Sequence, residues 1–276
     1  MSPTPGTWSR DRVHRLSRLI IVLINVAAVG SLALQPEGAL AWTADILGRT
    51  YLMFLAGVMA HEGSHGHLGR TRVANDWWGR LALVPTWVPY LNFRKTHRLH
   101  HARTNIPGED PDLFVKADHW WEVPLRAVAV PHHWLVWLHE RGWLRRRDIG
   151  ELVVHYLAMI AIYSAVATQT SVARVTWGLV PALILDSMLL WIPFAMKTHE
   201  GFSTGAPEAR SHNYYGRFLY WFSLGLSMHR VHHLRPGLSW IEILPFVERA
   251  PGPWWRRLPF RRDIRPEVSA PLKEAA

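Results

Sequence analysis

The apolar positions of the chain gather into four long blocks, over about residues 16–34, 46–60, 152–167 and 175–196. Leu19 to Leu34 holds no charged residue, and Val175 to Met196 holds only Asp186. At about 1.5 Å per residue such blocks make helices that cross a hydrocarbon layer of about 30 Å, the middle two only just. The second block is interrupted near its start by Arg49. A fifth run, Leu81 to Tyr90, carries Pro85 and Pro89. It is too short to span and reads as a re-entrant or interfacial element. The pattern predicts an all-α integral membrane protein with about four transmembrane helices, organised as one domain over 1–276. A tail over about 251–276, rich in Pro and Arg, is expected along the surface.

Basic residues orient these spans. Arg10, Arg12, Arg15 and Arg18 lie before or at the start of the first block; Arg141, Arg145, Arg146 and Arg147 precede the third; Arg256, Arg257, Arg261 and Arg262 follow the last. Between them, the loop 35–45 has no Lys or Arg, and 168–174 has one. Four spans put every basic cluster on one side, so both termini and the long middle loop are expected in the cytoplasm of a bacterial cell. The Arg-rich start, apolar stretch and Ala39-Leu40-Ala41 also resemble a signal peptide, but the apolar stretch exceeds the usual length of such a core. The net charge of +10 then suits an anionic membrane surface rather than nucleic acid.

Histidine changes the picture most. The 276 residues include 17 His and no Cys. Without Cys there are no disulfides, Cys-ligated zinc, iron–sulfur clusters or thiolate nucleophiles in this sequence. The histidines cluster. His61-Glu62-Gly63-Ser64-His65 ends the second block, His97-Arg98-Leu99-His100-His101 lies in the middle loop, and His229-Arg230-Val231-His232-His233 follows the fourth block. Offsets of three and four place the imidazoles of each cluster on one helical face. Two H-x-x-H-H runs are expected by chance in about 0.002 of chains this rich in His. Imidazole suits Zn, Cu, Fe and Ni. Eight clustered donors exceed what one ion coordinates, so two ions sharing them fit better. Their place beside a hydrocarbon phase suggests an apolar substrate.

These segments resemble the three histidine boxes of the membrane fatty acid desaturase and hydroxylase superfamily. The likeness covers about residues 57–245 and includes the acidic turn Glu109-Asp110-Pro111-Asp112 after the second box. The resemblance implies a cytosolic helical cap that carries all three boxes. It implies a non-haem diiron centre of two Fe ions, O2 as co-substrate, and a separate ferredoxin- or cytochrome-like electron donor. It implies His61, His65, His97, His100, His101, His229, His232 and His233 as ligands. Family members use one more His between the second and third boxes, best matched here by His199. Some acyl desaturases carry an Asn one turn earlier, where this chain has Ala195.

Glu62, Asn105, Asp110, Asp112 and Glu200 are expected as acceptors for imidazole N–H groups. His67 and His212 are set aside as ligands. Asp186, a carboxyl in mid-span, is expected to face a polar cavity or pair with another helix, with substrate contact as the other reading. The function expected is desaturation of an acyl chain of a lipid or fatty acid, with hydroxylation or ketolation of a carotenoid, alkane or other apolar substrate as the alternative. A zinc hydrolase or a metal transporter are the rival classes, which metal analysis separates.

Overall fold

A computed structural model of the protein describes residues 8–202 and 210–247. The expected surface tail lies outside the described residues. Among those described, every regular element is helical. The helices are α1 (Arg10–Gly30), α2 (Gly38–Ser64), α3 (Arg72–Ala82), α4 (Tyr90–Arg103), α5 (Glu122–Glu140), α6 (Arg146–Gln169), α7 (Val172–Leu189), α8 (Lys197–His199), α9 (Arg217–Phe222), α10 (His229–Leu234) and α11 (Leu244–Val247). A π-helical segment, Leu190–Met196, makes α7 and α8 continuous. Pro193 lies inside that segment, and its missing N–H explains why the regular ladder is widened there.

Three stretches are long and apolar enough to cross a membrane: Arg10–Ala33, Arg146–Gln169 and Val172–His199. The expected second span sits in α2, whose 27 residues extend about 40 Å. It falls short in apolarity because of Asp45 and Arg49, and the fold resolves this by enclosing both. Arg49 donates to Asp45 (2.6 Å), the Gly178 carbonyl (2.8 Å), Ser31 Oγ (2.8 Å) and the Ala28 carbonyl. Arg174 donates to the other Asp45 oxygen (2.9 Å), the Leu34 carbonyl (2.7 Å) and the Ser31 carbonyl (2.8 Å). One carboxylate thus serves two guanidinium groups, and the Gly178 carbonyl of α7 together with acceptors at the end of α1 takes the rest. This is the pairing that a charge at membrane depth requires.

The cluster also fixes direction. It joins the end of α1 to the beginnings of α2 and α7. At the opposite end, Asp11 of α1 pairs with Arg70 beyond α2, and Asp148 of α6 pairs with Lys95 of α4 at 2.8 Å. Helices α1 and α6 therefore leave that end, and α2 and α7 return to it.

The run with two prolines is a re-entrant hairpin. Helix α3 descends along α1: Arg18 donates to the Leu68 carbonyl at 2.6 Å, and Asn25 to the Leu81 carbonyl at 3.0 Å. A 3₁₀ turn, Val84–Thr86, reverses the chain. There the Tyr163 hydroxyl donates to the Val84 and Pro85 carbonyls at 3.3 and 3.4 Å. Tyr163 is 17 residues into α6, about 25 Å along it. Non-helical backbone at such depth is tolerated because protein surrounds it. Helix α4 then climbs back and delivers the second histidine cluster.

The two arms of the hairpin meet at Gly79, where an added Cβ would overlap the Tyr90 ring. Tyr90 is fully buried and has no room to withdraw. Gly79→Ala is expected to cost about 1–3 kcal/mol by overpacking, read as a lower unfolding midpoint in detergent. An unchanged midpoint would mean that the arms do not pack at this register.

Candidate metal centre

The returning ends of α2, α4, α7–α8 and α10 converge on one volume, and nine imidazoles point into it. Their nitrogens form two groups within which the donor atoms lie no more than 4.8 Å apart: His61, His65, His97, His101 and His232 in one, and His100, His199, His229 and His233 in the other. The division cuts across the sequence clusters. On α4, His97 and His101 are one turn apart and face the first group, while His100 between them faces the second. On α10, His229 and His233 face the second group and His232 the first. The His101 and His233 rings stack at 4.1 Å and 15° where the groups adjoin.

Within the first group the Nε2 atoms form a chain: His61 to His232 at 2.9 Å, His232 to His101 at 3.0 Å, His101 to His97 at 3.1 Å and His97 to His65 at 2.8 Å. The second group repeats it, with His100 to His199 at 3.1 Å, His199 to His229 at 2.8 Å and His229 to His233 at 3.0 Å. An imidazole nitrogen offers one in-plane site, either a proton or a lone pair. The middle nitrogens of each chain cannot satisfy two neighbours at once, so the histidines do not complete a network by themselves. A cation at the centre of each group resolves this. Donors at right angles on an ion about 2.1 Å away lie about 3.0 Å apart, whereas tetrahedral donors lie about 3.4 Å apart. The spacings seen here fit the right-angled arrangement and disfavour a closed tetrahedral zinc site.

The rings are also held ready to donate lone pairs. Burial and mutual repulsion push His65, His97, His101, His229, His232 and His233 well below the ordinary histidine range. His199 is turned the same way by a main-chain contact. Its Nδ1–H donates to the Arg210 carbonyl at 2.8 Å, which leaves Nε2 free for the cluster. Asn105 donates to the same carbonyl at 3.0 Å.

His100 differs. Burial disfavours its cation, but Asp110 and Asp112 outweigh burial and raise it to about 9. Its Nδ1 lies 3.0 and 3.1 Å from the Asp110 oxygens. Asp110 also accepts the Asn105 and Asp112 backbone N–H groups, at 2.8 and 3.0 Å. Asp112 lies 3.6 Å from His100 and accepts the Trp134 indole N–H at 3.0 Å. This is the carboxylate–imidazole pairing that fixes the tautomer of a metal-binding histidine. Glu62 plays the matching part at α2. It accepts from His67 and from the Trp240 backbone N–H, both at 2.9 Å, and lies 3.6 Å from His61 Nδ1.

Of the five expected acceptors, Glu62, Asp110 and Asp112 lie against imidazoles, and Asn105 acts one bond removed. Glu200 does not. Its exposed carboxylate pairs with Lys197 at 2.7 Å, because the chain turns to the surface immediately after His199. Asp186 is buried on α7 with Oδ1 unpartnered among the described residues, and it belongs to neither histidine group. His67 serves Glu62. His212 is half-buried behind His199, with both ring nitrogens enclosed and unpartnered among the described residues. The Arg210 carbonyl, Trp134 and the Trp240 N–H carry no signature in sequence. A carbonyl belongs to every residue, and nothing in sequence separates these two tryptophans from the other fourteen.

The family model for fatty acid desaturases matches residues 38–249. The omega-3 fatty acid desaturase fat-1 of Caenorhabditis elegans is 33% identical over 32% of this chain and 21% of its own length. An sn-1 acyl-lipid omega-3 desaturase (ferredoxin) of Synechocystis sp. is 32% identical over 25% of the chain and 21% of its own. An sn-1 oleoyl-lipid 12-desaturase of Arthrospira platensis is 22% identical over 92% of the chain and 79% of its own. The chain thus spans about a fifth of the length of the first two of these relatives, over which identity is higher. The family match takes in α2 through α11 and all nine converging histidines, and on that extent the chain belongs to the fatty acid desaturase family.

Proposed function

We propose that this protein is a membrane-bound, O2-dependent non-haem diiron oxidoreductase that desaturates an acyl chain of a membrane lipid or fatty acid. The observation that carries the reading is the convergence of nine imidazole Nε2 atoms into two groups at the spacing of right-angled donors. His61, His65, His97, His101 and His232 would hold one ion, and His100, His199, His229 and His233 the other. Two bound irons, with O2, two external electrons and two protons, supply the oxidising power to take two hydrogens from neighbouring carbons and release two waters.

The remaining chemistry is the protein's own. Asp110, Glu62 and the Arg210 carbonyl hold rings in place through their Nδ1 sides or neighbours. The absence of Cys leaves no thiol near the site to be oxidised. Helices α2 and α7 run from the histidine groups into the hydrocarbon phase, where an acyl chain partitions. The name of the Synechocystis relative includes ferredoxin, which supports a separate iron–sulfur or haem protein as electron donor. The basic residues at the starts of α1 and α6 support a cytoplasmic face for the site.

Purified protein with membrane lipids, O2 and a ferredoxin reducing system is expected to yield lipids lighter by two hydrogens. A gain of one oxygen would place the protein among hydroxylases instead. No change in any lipid, with two irons bound, would refute both.

A further inference from the structure

A concentration of positive charge lies beside the histidine groups. Two adjoining cavities, of about 570 and 340 Å³, open where the first turns of α1 meet the start of α3. Arg10, Arg15, Arg18, Arg70, Arg72 and Arg98 line them, against the two carboxylates of Asp11 and Asp76. Both carboxylates are already engaged, Asp11 by Arg70 and Asp76 by Arg94 at 3.0 Å and Arg72 at 3.8 Å. Arg10 and Arg15 are exposed, and neither forms an ion pair with any described residue. The cavities are therefore strongly electropositive, and their free guanidinium groups offer the forked donors that suit a phosphate.

Two apolar stripes begin at these cavities. On α1, Arg15 is followed at helical spacing by Leu19, Leu23 and Val26, which are 54%, 58% and 67% exposed. On α3, Arg72 is followed by Val73, Trp77 and Leu81, the first two 66% exposed. Because α3 descends along α1, both stripes run from the water-facing end into the hydrocarbon zone. A free anion or a soluble protein would use the charges alone. An amphiphile uses both, with its head among cations and its chains on apolar surface.

We propose that these cavities bind the phosphate of an anionic membrane phospholipid, whose acyl chains lie along the α1 and α3 stripes. The site is separate from the histidine groups, although the larger cavity reaches His65. It holds whether or not the protein is a desaturase, since its test reads lipid binding alone.

The purified full chain in neutral detergent is titrated with phosphatidylglycerol or phosphatidylcholine, and bound lipid is counted by native mass spectrometry. One phosphatidylglycerol is expected to bind at least about tenfold more tightly than phosphatidylcholine, as electrostatic recognition predicts. Arg10→Ala/Arg15→Ala should remove that preference. Arg146→Ala/Arg147→Ala removes the same charge from the exposed start of α6 and should stay within about twofold of the parent. Equal loss in both variants would mean diffuse surface attraction and overturn the site. Displacement of the lipid by inorganic phosphate at matched ionic strength would overturn the lipid as occupant. An absent preference together with an Arg10/Arg15-dependent binding of an acidic ferredoxin would turn the surface into a protein-docking face.

Discussion

Replacing His232 with alanine is expected to yield a protein that inserts in the membrane, loses metal from the five-histidine group and forms no desaturated product. His232 Nε2 is the inner link of that group, 2.9 Å from His61 and 3.0 Å from His101. No other described side chain can take its place, because α10 points its next histidines, His229 and His233, into the neighbouring group. The spanning helices make their packing contacts elsewhere, so insertion and folding should survive, while loss of a ligand couples directly to loss of metal. Metal analysis by mass spectrometry, set against product analysis, provides the check. A His232→Ala protein with two irons and full turnover would remove the basis for the proposed site.

His199→Ala is expected to match His100→Ala in metal loss, although His199 belongs to no recognisable cluster in sequence. Its Nε2 joins the second group at 3.1 Å from His100 and 2.8 Å from His229. That group has four nitrogens against five in the other, so it has less redundancy to absorb a deletion. His212→Ala is the control. His212 is likewise half-buried and only 13 residues further along the chain, but it lies outside both groups. Its truncation should lower stability through the cavity it leaves, within the usual range of about 0.5–3 kcal/mol, with both irons retained. Equal metal loss in His199→Ala and His212→Ala would show that the measurement reads folding rather than ligation.

Much of this arrangement is legible in sequence because it depends on local rules. Long apolar blocks mark α1, α6 and α7, and helical offsets bring His61 to His65, His97 to His101 and His229 to His233. The two prolines between Leu81 and Tyr90 betray the re-entrant turn. What escapes the sequence depends on contacts between distant segments. The division of nine donors into five and four follows from the rotation of α4 and α10 about their axes, and composition holds no trace of that angle. Arg49 weakens the second apolar block when read alone. It is at home there only because Asp45, one turn earlier, and the carbonyls of α1 and α7 meet it. Glu200 adjoins a site residue in sequence yet faces away, because the helix ends at His199. The partner of His199 is a main-chain carbonyl, which no residue type announces.

The re-entrant hairpin has a consequence for biosynthesis. It is made before α6 and α7, yet the hydroxyl that meets its buried tip belongs to Tyr163, near the far end of α6. Until α6 has emerged from the ribosome and entered the bilayer, the Val84 and Pro85 carbonyls would lie unshielded in hydrocarbon, at a cost of several kcal/mol each. The hairpin must therefore wait near the membrane surface and settle after its younger neighbours are in place. Since α4 carries His97, His100 and His101 to both groups, neither group is complete until that late step. Assembly order alone thus delays completion of both histidine groups until most of the chain has been synthesised.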